Sequence, residues 1–116
     1  MKYLLLFALI LTLLTACSNQ EQSNKDFINL SENYINALMD SSPEFATYLG
    51  NHNYDDKLND YSSEGYQKEL DMYKSFLASL QKIKAEDLNQ NNLIDYKIME
   101  SNLKSSIFSI DTLRGH

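Results

Sequence analysis

Cysteine, histidine and clustered positive charge are all scarce in this chain, and each scarcity removes a class of function. One cysteine in 116 residues excludes a disulfide framework. Two histidines, His52 and His116, stand far apart, so neither an H-E-x-x-H helix nor any zinc-like His pair can be built. Ten Lys and Arg face 16 Asp and Glu, a net charge of −6. Without a basic cluster, an acidic chain is a poor partner for nucleic acid or for an anionic lipid surface. No run alternates polar and apolar residues long enough for a strand. Absent too are a Gly-rich phosphate loop, a Ser/His/Asp arrangement and a redox motif. No active site is visible.

One long hydrophobic run is present, at the N-terminus. Lys2 precedes YLLLFALILTLL, which leads into Leu14-Thr15-Ala16-Cys17. A transmembrane helix needs roughly 20 apolar residues; this shorter run behind one positive charge fits the h-region of a secretory signal. The last four residues resemble the lipobox of bacterial lipoproteins. That resemblance implies a diacylglyceryl group on the Cys17 thiol, cleavage before Cys17 and acylation of the new amino terminus. The alternative is an ordinary secretory signal with an incidental cysteine. Each buried acyl carbon adds roughly 0.8 kcal/mol, so more than one chain makes a stable anchor. Residues 1–16 are therefore expected to be a signal peptide, and the protein to sit lipid-anchored in a bacterial cell envelope, on its periplasmic or extracellular face. Loss of residues 1–16 removes only Lys2 among the charges and leaves a side-chain balance of −7.

Residues 17–25, polar and without apolar periodicity, read as a flexible tether. From Asp26 to His116 the pattern is helical and all-α. Phe27, Leu30, Tyr34, Ile35, Leu38 and Met39 form one apolar face. Pro43 ends that helix, and Ser41 or Ser42 can cap a short one with Pro43 in its first turn and Gly50 as its stop. Asn51–Tyr61 is a loop, with Tyr54 and Leu58 as inward anchors. Ser62 or Ser63 caps a long helix to about Lys84, with a stripe of Tyr66, Leu70, Tyr73, Leu77 and Leu80. A polar break, AEDLNQNN, precedes a last helix from about Leu93 to Thr112. The two long helices form an antiparallel hairpin preceded by one or two shorter helices. Leu93, Tyr96, Leu103, Ile107 and Ile110 form the main stripe of the last helix, with Ile94 and Ile98 beside it, so that helix is expected to touch more than one neighbour.

Two loop readings carry chemistry. Asn51, Asn53 and Asp55 match the first oxygen ligands of an EF-hand, but Asp56 stands where its Gly belongs and Ser62 where its bidentate Glu belongs. Asp55 and Asp56 could be an acid–base pair only if both faced one space; adjacent loop carboxylates more often shape turns.

Order and spacing add a resemblance. Ser42, Pro43, Glu44, Ala46, Thr47 and Gly50, then Tyr54, Asp55, Asp56, Leu58, Asp60 and Ser62, then Asp95, Tyr96 and Leu103, resemble the N-terminal region of the bacterial family known as domain of unknown function 885. The resemblance runs from Ser41 to about Arg114. It implies a long, mainly helical, exported or lipid-anchored protein similar to zinc metallopeptidases, with an H-E-x-x-P-G-H type motif later in the chain. No such motif occurs here, so no catalytic or metal residue carries over. Zinc is expected only in a further C-terminal part. The chain is expected to be an N-terminal fragment, inactive alone, whose partner is the rest of a longer polypeptide or another helical protein. A small free-standing lipoprotein is the alternative. The motif loop is expected to set the hairpin's entry angle rather than touch substrate.

Overall fold

A computed structural model describes residues 2–112, with side chains described from Asn19 onward. Four α-helices make up its regular structure: α1 (Lys2–Ser41), α2 (Pro43–Tyr48), α3 (Ser63–Leu80) and α4 (Gln90–Thr112). Short 3-10 turns at His52–Tyr54 and Ala85–Asp87 lie in the connections. No strand occurs among the described residues, so the chain is all-α, as its periodicity predicts.

The antiparallel hairpin of α3 and α4 is the centre of the fold. Leu80 and Leu103 are completely buried at its core. Tyr73, Tyr96 and Met99 surround them, and Leu88 folds in from the connecting turn. At one end Lys74 Nζ on α3 lies 3.9 Å from an Asp111 carboxylate oxygen on α4. Met99 and Leu88 were not on the expected stripes. Met99 fills the seven-residue interval between Tyr96 and Leu103, three residues after the one and four before the other, and Leu88 is the one large apolar residue in a polar break.

Helix α1 covers one side of the hairpin. Phe27 is buried against it, and Leu30, Tyr34 and Leu38 pack beside. Two ring pairs join the layers: Phe27 with Tyr96, centroids 6.1 Å apart, and Tyr34 with Phe76 edge-on at 5.3 Å. Tyr73 buries its ring while its hydroxyl donates to Glu69 at 2.8 Å. Burial first, then that bond, push its phenol well above its ordinary pKa.

Three local expectations need correction. Residues 17–25 are not a flexible tether: the helix α1 runs through them. The Lys25–Glu21 pair at 2.7 Å and the Gln22–Asp26 bond at 2.8 Å, each four residues apart, support helix there. Asn24 also reaches the hairpin, its Oδ1 accepting from Asn89 N–H at 3.1 Å and Asn92 Nδ2 at 2.6 Å. Helix α3 stops at Leu80 rather than near Lys84, because a tighter turn takes over at Lys82 and Ile83. Neither serine side chain caps α2; Ser41 Oγ turns back to the Leu38 carbonyl.

Candidate functional site

The stretch from Ser42 to Ser62 builds a polar clamp. Pro43 opens α2 where a missing N–H costs nothing. The next orphan donor, Glu44 N–H, is met from 15 residues away by Asn59 Oδ1 at 3.2 Å. The Glu44 carboxylate answers by accepting from Asn59 N–H at 3.4 Å and from Tyr61 Oη at 3.0 Å. Helix α2 ends in a Schellman turn. Asn51 N–H donates to the Ala46 carbonyl and Gly50 N–H to that of Thr47, both at 2.9 Å. Gly50 has φ +90°, a left-handed conformation that suits glycine.

The aspartates divide their labour. Asp55 accepts from Thr47 Oγ1 at 3.0 Å and faces His52 Nδ1 at 3.0 Å. The Asp56 side chain is exposed and makes no hydrogen bond or ion pair with the described residues. Asp55 therefore ties the loop to α2, and no shared acid–base space brings the two together. Asn51, the first of the EF-hand-like positions, uses its Oδ1 to accept from Asn53 N–H at 3.3 Å. Tyr54 anchors the loop as expected, its hydroxyl donating to Asp40 at 2.7 Å. That bond first, and desolvation second, raise its phenol above the ordinary pKa. Leu58 does not anchor anything: it is 81% exposed. Asn59, one residue on, holds the loop instead, through polar bonds that hydrophobic patterning does not register.

At the far end of the clamp Ser62 caps α3, its Oγ accepting from Gly65 N–H at 3.0 Å. Asp60 Oδ1 accepts from Ser62 N–H at 3.0 Å. Bonds from the Ser62 hydroxyl and backbone hold the Asp60 carboxyl below the usual carboxylate range. Gly65 was not singled out from the sequence. A Cβ there would collide with the Asp60 backbone oxygen and come within 2.6 Å of its Cγ. A glycine in the first turn of an otherwise good helix is the signal that could have found it.

The second feature is apolar. Between α1 and α4 lies a groove of about 340 Å³. Phe27 and Met99 form its floor, and Ile28, Ile35 and Ile98 its walls. Those isoleucines are half exposed, as is Ile94 one turn from Ile98. Glu32 and Asp95 also line it, and no Lys, Arg or His does.

The family model for "Bacterial protein of unknown function (DUF885)" matches residues 43–116. The chain belongs to this family. The DUF885 match opens at Pro43, the first residue of α2, and takes in the clamp and the whole hairpin. Neither a curated protein nor a solved structure matches the chain. Among the described residues no three His, Cys, Asp or Glu come together as a metal would require. His116 and the Cys17 side chain lie outside the described residues.

The clamp makes a sharp prediction. Asp55→Ala removes two partners of a turn and should lower stability by about 1 kcal/mol. Asp56→Ala should change it by less than about 0.5 kcal/mol. Thermal melting of the two variants side by side checks this, and equal losses would break the assignment.

Proposed function

We propose that this chain is the N-terminal helical segment of an exported, lipid-anchored, metallopeptidase-like protein, a scaffold without catalytic residues of its own and inactive alone. DUF885 membership supports the reading, and so does the lipobox-like Leu14-Thr15-Ala16-Cys17. The observation that carries it is the uncovered strip on α1 and α4. Ile28, Ile35, Ile94 and Ile98 are each 46–53% exposed, on a face where a further helical layer would seat. Covering a half-exposed isoleucine contributes about 1 kcal/mol, so the four together hold several kcal/mol in reserve for docking. The clamp then sets the angle at which α1 and α2 meet the hairpin, and touches no substrate.

A second reading has its own support. Leu80 and Leu103 are fully buried within this chain, which suits a free-standing helical lipoprotein that binds a separate partner through the same strip. Both readings place lipid on Cys17. Radiolabelled palmitate should enter the wild-type protein, and Cys17→Ala should abolish the label and release the protein from membranes. Labelling that survives the substitution removes the anchor.

A further inference from the structure

We infer that the groove between α1 and α4 takes an amphipathic helix whose apolar stripe is flanked by Lys or Arg. The inference rests on the reading that helical protein covers this face, and it names the chemistry of that cover. Both walls are α-helices, so their backbone N–H and C=O groups are spent internally and no strand can add to them. What they offer is side-chain ridges. Ile28 and Ile35 stand seven residues apart on α1, about 10 Å along its axis. Ile98 faces them from α4, over a floor of Phe27 and Met99. Two to three turns of a third helix fit between such ridges.

Charge selects among helices. Glu32 on α1 and Asp95 on α4 are exposed at the groove. Among the described residues neither carboxylate enters an ion pair, whereas Glu21, Glu64 and Glu100 each hold a lysine four residues away. The remaining polar lining is neutral: Ser31, Asn92 and Asn102. A ligand helix with basic flanks meets two unpaired carboxylates; one with acidic flanks meets like charge. The same argument disfavours a second copy, which would bring its own Glu32 and Asp95 and a net charge of −6. Exposed pairs add little affinity each and chiefly set selectivity and approach rate. The isoleucines supply the binding.

The test uses the full chain in zwitterionic nanodiscs and two labelled synthetic helices sharing one leucine stripe, flanked by lysine or by glutamate. Fluorescence anisotropy should show the lysine-flanked peptide binding about tenfold more tightly. Ile98→Asp, at a half-exposed position that leaves the core intact, should weaken that peptide by more than about tenfold. It also adds negative charge, so the loss cannot come from bulk attraction. Joint replacement Glu32→Lys and Asp95→Lys should reverse the preference. Equal binding of both peptides, indifference to Ile98→Asp, or self-association through this face that Ile98→Asp abolishes would each overturn the inference. None of those results bears on the lipid anchor or the size of the native product, so the broader reading can fail or stand separately.

Discussion

Leu103→Ala should cost about 3 kcal/mol and lower the melting temperature by about 12–24 °C. Leu103 has no exposed surface and shares the hairpin core with Leu80; these two are the largest fully buried side chains among the described residues. Truncation removes transfer free energy and leaves a cavity that two helices joined by a short turn cannot close. The usual stability of a domain this size is about 5–14 kcal/mol, so about a fifth to three fifths of it rests on one side chain. Ile94→Ala is the matched control. Ile94 is 51% exposed, and its loss should cost under about 1 kcal/mol. Comparable losses at both sites would mean that the strip on α4 is already packed within this chain.

Gly65→Ala is the more discriminating substitution, because two effects oppose each other. Helix propensity alone favours alanine by about 1 kcal/mol. Against it, the new Cβ strikes the Asp60 backbone, which must move. Asp60 holds Ser62 N–H, and Ser62 Oγ caps the helix at Gly65. Displacing that pair loses the cap, about 1 kcal/mol, and adds overpacking of about 1–3 kcal/mol. Steric cost wins, and the net expectation is a loss of about 1–3 kcal/mol by thermal or denaturant melting. A gain in stability would show that the loop does not press on α3.

How much of this was readable in advance follows from what kind of signal each feature leaves. The helices announced themselves through three- and four-residue spacing, and the caps at Ser62 and Gly50 through local turn chemistry. Family membership was legible in the order of the motif residues rather than in any one of them. Helix in residues 17–25 was missed because its support is polar: the Lys25–Glu21 pair and the reach of Asn24 to Asn89 and Asn92. Asn59 was missed for the same reason, and Leu58 took its place because an apolar residue in a loop invites burial. Ile35 stood on the expected face of α1 yet is 48% exposed. The stripe on α1 is wider than the hairpin can cover, and that surplus, with Ile94 and Ile98, is the strip on which the proposed function rests.

The most direct test of that proposal is the size and location of the native product, by immunoblot of membrane fractions with an antibody against the hairpin. A membrane-bound band several times larger than 13.4 kDa is the expected result, with the remaining helices supplying the cover for Ile28, Ile35, Ile94 and Ile98. A band near the mature size of this chain would contradict it and leave a small lipoprotein that docks a separate partner.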